Sequence, residues 1–196
     1  MGYRRRMTAP RHAIRALTVA AAVTVLAACG SGTHNDADVA FAQQMVPHHE
    51  QAVEMSDLAL EPDRGASTEV RELAEQIGSA QHDEIDLMNG WLEEWGESAG
   101  SGHGDGHGDG HGDHGDGADH TMEGMLTDEQ MSDLAAATGS QFDELWLTFM
   151  IEHHEGAVEM AETAVAEGED PDVQELAEQV VEVQRSEIAQ MTALLG

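Results

Sequence analysis

The 196-residue chain contains no lysine, and its eight basic residues, all arginine, stand against 39 aspartates and glutamates. Contacts to nucleic-acid phosphates need Lys and Arg, so a formal charge of −31 excludes nucleic acid as a partner. The same charge draws cations from a distance. Cysteine is nearly absent too: Cys29 stands alone, which excludes an internal disulfide and any Cys-x-x-Cys metal or redox site. Aromatic residues are 4% of the chain, so the core must be Leu, Val, Ile, Ala and Met. No nucleophile triad, phosphate loop or nucleotide fingerprint is present. What the chain has in quantity is histidine and methionine, 12 and 11 residues.

Arg4, Arg5, Arg6, Arg11 and Arg15 precede an apolar run that ends in Leu26, Ala27, Ala28 and Cys29. A basic start, a short apolar stretch and small residues at its end form a secretory signal. The run is too short for a comfortable transmembrane helix. Its ending resembles a bacterial lipobox, which implies that residues 1–28 are removed and that Cys29 carries lipid. The protein is then exported and held at the outer face of the cytoplasmic membrane, with 29–37 as a tether. An ordinary cleaved signal with a chance cysteine is the alternative. Every acidic residue survives the cleavage, whereas five of the arginines leave.

A Gly/Asp/His insert at 98–120 divides the rest. Within it, His103, His107, His111, His114 and His120 alternate with aspartates. Such a tract cannot bury a core and is expected to be disordered. It binds Zn(II), Cu(II) or Ni(II) weakly through interchangeable geometries, or serves only as a linker.

On either side of the insert the sequence repeats. HHEQAVEM at 48–55 returns as HHEGAVEM at 153–160. Phe41, Met45 and Ala52 correspond to Trp146, Met150 and Ala157, an offset of 105. Val70–Gln76 then matches Val173–Gln179, and Gln81, Glu84, Ile85 and Met88 match Gln184, Glu187, Ile188 and Met191. Each half is two helical segments. At about 100° per residue, Phe41, His48, His49, Ala52, Met55 and Ala59 lie within about 80° of Met45, while Glu50, Glu54 and Asp57 face away. In the following segment Val70, Ile77, Gln81, Met88, Leu92 and Trp95 share a stripe. Its counterpart carries Val173, Val180, Gln184, Met191 and Leu195. Pro47 falls inside the first helix, where it removes one hydrogen bond and predicts a kink. Thr127–Gln130 reads as a capping box for a short helix, Ser140 as the cap of the next long one, Gly168 as its C-terminal stop and Pro171 as a first-turn residue. Two hairpins with one apolar stripe per helix are best buried together, as an all-α four-helix bundle over 38–196.

The histidines sit on the buried stripe. A lone histidine there is ordinarily a satisfied core residue. Four, in two matched pairs, need compensation, because an unpaired buried polar group costs about 1–3 kcal/mol. Met45, His48, His49 and Met55 converge on one face within three turns, and Met150, His153, His154 and Met160 repeat the pattern. Imidazole with thioether is a soft, uncharged donor set that suits Cu(I) better than Mg, Ca or Mn; zinc or iron are the other candidates. Gln81, Glu84, Gln184 and Glu187 interrupt the facing stripes, beside Met88 and Met191. They can accept the second ring N–H of each histidine, or else form a network that fixes helix register. Ligand histidines must be neutral, so binding is expected to weaken below about pH 6.

The pattern Phe41-x3-Met45-x2-His48-His49-x2-Ala52-x2-Met55, followed by Gln81-x2-Glu84-Ile85-x2-Met88, resembles the domain of unknown function 305 family over 38–95 and 122–195. That resemblance implies a ferritin-like bundle, export and, for some members, a link to copper binding and tolerance. It carries the family motif onto Met45, His48, His49, Met55, Met150, His153, His154 and Met160. Three functions follow. One is an envelope-anchored protein that sequesters or hands over copper, without catalysis, to a donor or acceptor protein the sequence does not name; a homo-oligomer is compatible with it. Another is a redox enzyme of ferritin-like type. Di-iron sites of that type need inward Glu-x-x-His pairs, and no histidine here has a glutamate three residues before it. The third is a structural or interaction bundle closed by a buried His-Glu-Gln network.

Overall fold

Asn35 starts the first helix by a reciprocal capping box: its side chain accepts from the Ala37 and Asp38 amides, and Asp38 accepts the Asn35 amide. In the computed structural model, which describes residues 34–99 and 122–196, this helix is α1 (Asp36–Leu60). It runs unbroken through Pro47, which is buried. A 3-10 turn at Pro62–Arg64 and Gly65, in the left-handed region at φ 64°, lead to α2 (Thr68–Trp95), capped by Ser67. After the insert come α3 (Asp128–Ala136), α4 (Ser140–Glu167) and α5 (Pro171–Leu195). The signal-like segment, Cys29 and the tract Gly102–His120 lie outside the described residues.

The expected four-helix bundle of two hairpins is what the chain forms, with α3 as a short addition whose Leu134 is buried in the core. The capping box at Thr127 and Gln130 and the first-turn position of Pro171 are as expected. Two turn expectations fail. Ser140 is the first residue of α4, and Gly139 holds the cap position with φ 60° and no side-chain cap bond. The reason is tertiary: the Gly139 amide donates to the Arg64 carbonyl at 2.7 Å, docking this corner on the α1–α2 loop. Gly168 does end α4, but in an extended conformation, not the left-handed one. Glycine is required there by space, since a Cβ would lie 2.5 Å from Asp38 Oδ1 and 2.7 Å from the Ala164 carbonyl oxygen.

α1 and α4 run antiparallel. At one end Asn35 Nδ2 donates to the Glu167 carbonyl, and at the other Trp146 Nε1 donates to the Met55 carbonyl at 3.0 Å. The ends are tied by repeat-equivalent acids. Asp38 accepts the amides of Glu169 and Asp170 in the α4–α5 loop, and Asp143 accepts the Ser67 amide beside the α1–α2 loop. The core divides accordingly. Met45, Met88 and Ala157 belong to one apolar cluster, and Ala52, Met55, Met150 and Met191 to the other. Close backbone approach occurs between α1 and α2, α4 and α5, and α1 and α4. Leu195, expected on the buried stripe, is exposed together with Leu194.

Candidate metal centre

Helical period places His48 and His49 on the inner face of α1, and His153 and His154 on that of α4. None of the four has any exposed surface. The α1–α4 crossing brings the two copies together, with the His48 and His153 ring centroids 3.7 Å apart and the planes at 38°. Within each pair the rings are more widely spaced, at 6.5 Å for His48–His49 and 6.4 Å for His153–His154.

Hydrogen bonds fix which nitrogen each ring offers. His49 Nε2 lies 2.8 Å from Glu84 Oε2, and His154 Nε2 lies 2.9 Å from Glu187 Oε2. His48 Nε2 lies 3.1 Å from the Glu123 carbonyl oxygen. A carbonyl or carboxylate oxygen accepts, so each of these three rings carries a proton on Nε2, and in its neutral form the lone pair lies on Nδ1. The Nδ1 atoms of His48, His49 and His154, and both ring nitrogens of His153, are buried without a partner among the described residues. Burial pushes the His48 imidazole down from its usual 6.5 to about 3, and the neighbouring His49 adds to the effect. His153 is held well below 6.5 by burial first, then by proximity to His48, His154 and His49. These two rings stay neutral well below pH 6, so proton competition at His48 and His153 sets in at lower pH than the free imidazole value implies.

The expected thioethers are buried to different degrees. Met45, Met55 and Met150 are fully buried, as are Met88 and Met191 on the facing helices, whereas Met160 is only partly buried. Glu84 and Glu187 each bond a histidine ring, His49 and His154. Gln81 and Gln184 do not: both are 3% exposed, and neither is bonded to a ring. The glutamates stand one turn farther along α2 and α5 and take those positions. Among the described residues, no group of three or more His, Cys, Asp or Glu side chains is gathered in a metal-holding arrangement. The histidine tract and Cys29 are outside the described residues.

One participant had no motif. Met122–Leu126 crosses the α1–α4 face as a strap. Gln51 grips it twice, donating to the Leu126 carbonyl at 3.0 Å and accepting the Leu126 amide at 2.8 Å. Gly156 seats it, for a Cβ there would lie 2.1 Å from the Glu123 carbonyl oxygen. Positions 51 and 156 are the single mismatch between the repeated octapeptides, and that mismatch was the signal.

The family model for DUF305, a domain of unknown function, matches residues 38–195. The chain belongs to the DUF305 family. A DUF305 protein from Streptomyces coelicolor, described as secreted, is 36% identical with a TM-score of 0.68; the match covers 81% of this chain and 90% of that one. A DUF305 fragment from Deinococcus radiodurans is 30% identical with a TM-score of 0.68, covering 83% and 97%. CopM in its Cu(II)-bound form is 28% identical with a TM-score of 0.65, covering 81% and 95%. CopM structures with Cu(I) and with silver bound are similar as well. No curated protein matches the chain.

Proposed function

We propose that this DUF305 protein binds copper as cargo, sequestering it or handing it on, and does not transform a substrate. The donors are the imidazoles of His48, His49, His153 and His154 with the thioethers of Met45, Met55, Met150 and Met160. Met88 and Met191 pack around them, and Glu84 and Glu187 orient the rings. The observation that carries this reading is the set of buried Nδ1 lone pairs. Three rings have Nε2 tied to an oxygen, so Nδ1 is what they offer to the interior. A network that merely closed the core would pair those atoms, since each costs about 1–3 kcal/mol unpaired. Similarity to CopM, whose structures hold Cu(II), Cu(I) and silver, supports the choice of metal.

Export and lipid anchoring are part of the proposal. They rest on the basic start, the apolar run and the Leu-Ala-Ala-Cys29 ending, and on the similarity to a relative described as secreted. No helix among the described residues is long and apolar enough to cross a membrane. Thioethers suit an oxidising compartment, where thiolates would pair into disulfides. The histidine tract would collect divalent ions loosely.

Anaerobic Cu(I) titration against a strong chelator, with native mass spectrometry for stoichiometry, tests this. His48→Ala combined with His153→Ala should abolish tight binding while circular dichroism shows the helices intact. Unchanged stoichiometry in that variant overturns the proposal.

A further inference from the structure

Four rings without exposed surface leave open how an ion reaches them. The α1–α4 face is closed. The strap lies backbone to backbone on α4, where a Cβ on Gly124 would sit 2.8 Å from the Glu152 carbonyl oxygen, and Gln51 clamps its far end. A depression of about 430 Å³ beside the strap is rimmed by Glu123, Glu152, Glu155 and Glu159, but no histidine lines it and those carboxylates are exposed.

The opposite face differs. α2 and α5 stand across a narrow cleft of about 10 Å³, flanked by Ile77 and Val180 and lined by Gln81, Glu84, Gln184 and Glu187. That space admits one water-sized species. The Glu84 and Glu187 side chains are 15% and 14% exposed, so each carboxylate touches solvent on one side and a buried imidazole on the other. Both glutamines are buried and stand between cleft and core. Neither amide atom of Gln81 has a partner among the described residues, and nor does Gln184 Oε1. Amide groups are expensive to bury in this condition, and these line a polar seam between α2 and α5.

We propose that the α2–α5 cleft is a transit site for a single, largely dehydrated cation on its way to the imidazoles. The carboxylates of Glu84 and Glu187 supply the attraction. The amide oxygens of Gln81 and Gln184 replace water around the ion, and their flexible side chains swing to admit it. For copper this rests on the metal-binding function proposed above; the path itself does not depend on which soft ion travels it.

Leucine at both glutamine positions keeps the volume and removes the oxygens, and it should leave the melting temperature unchanged or raised. Stopped-flow loading of Cu(I) from a chelator should slow by about tenfold or more in Gln81→Leu/Gln184→Leu, with release slowed equally and the equilibrium affinity within about twofold of wild type. Unchanged loading, or affinity falling in step with the loading rate, overturns the transit site. So does faster loading in Gln51→Ala, which loosens the strap and would move the route to the other face. A metal-free arm separates this from failure of the copper proposal. In apo protein, Gln81→Ala/Gln184→Ala should hasten diethyl pyrocarbonate labelling of His49 and His154 over His48 and His153, as mapped by peptide mass spectrometry. Equal labelling of all four rings refutes the path even if the wild type binds no copper.

Discussion

Gly156→Ala puts the strap to the test. The new Cβ would lie 2.1 Å from the Glu123 carbonyl oxygen, 2.5 Å from its carbonyl carbon and 2.8 Å from Gly124 Cα. All three are backbone atoms, so no side chain can swing aside, and the strap must retreat by about 1 Å or more to reach ordinary contact. That movement breaks the 3.1 Å bond from His48 Nε2 and both bonds between Gln51 and Leu126. Three hydrogen bonds at about 1 kcal/mol each are lost, and alanine in a helix returns about 1 kcal/mol. The net loss is about 2 kcal/mol, or about 4–8 °C in melting temperature for a chain of this size. Gly90→Ala is the control. Gly90 lies inside α2 with nothing within 4 Å of its would-be Cβ, so the same substitution should stabilise by up to about 1 kcal/mol. Thermal melts monitored by circular dichroism compare the two. In the Gly156 variant, nitrogen NMR of the His48 ring should also show its fixed Nε2–H tautomer lost. A Gly156→Ala protein as stable as wild type, with the His48 tautomer intact, refutes the strap's role.

Acid should unfold the protein earlier than its carboxylates alone would dictate. Unfolded imidazoles titrate near 6.5, whereas folded His48 titrates at about 3 and His153 well below 6.5. In that window the unfolded chain holds more protons. Stability is therefore full above about pH 6.5 and falls as pH drops, by on the order of 1.4 kcal/mol per unit for each ring; urea melts that stay level between about pH 7 and about pH 5 would contradict this. Asp38→Ala strips the acceptor from three amides, those of Asn35, Glu169 and Asp170, while Asp143→Ala strips it from Ser67 alone. The first should cost about 3 kcal/mol and the second about 1 kcal/mol in denaturant melts, and equal costs would refute the assignment. His48→Ala should melt below His153→Ala by the equivalent of about 1 kcal/mol, since only His48 bonds the strap.

Period and repetition made the fold legible. Offsets of 105 residues for the first helices and 103 for the second align two hairpins, and the 3.6-residue period puts His48, His49, His153 and His154 on buried faces, where the structure finds them. Spacing did not reveal which polar residue meets which ring. Gln81 and Glu84 share one stripe, and the choice between them depends on how far α2 slides along α1, a tertiary quantity. Glu123 contributes its backbone carbonyl, to which its residue type is irrelevant, so no motif could announce it. The pairing of Asp38 with Asp143 was available from the offset, and only their burial and bonding gave it meaning. Leu195 shows the opposite error, an apolar period that runs on to a residue the fold leaves exposed at the end of α5.

The one-letter difference between the octapeptides has a consequence for the centre itself. Residues that meet their own repeat-equivalents lie near the axis relating the two copies, and His48 against His153 is such a meeting. An exactly symmetric pair of hairpins would offer both rings in the same state. It would also carry either glutamine at both octapeptide positions, whose Cβ atoms bar the strap, or glycine at both, which leaves nothing to grip it. A fused chain can use glycine at 156 as the seat and glutamine at 51 as the clamp. The strap then covers the axis once and bonds one ring of the two. His48 has its proton held on Nε2 by the strap, whereas neither ring nitrogen of His153 has a side-chain or strap partner among the described residues. In the copper-binding reading proposed above, His48 would be the fixed donor of the pair and His153 the one left without a bond to the strap.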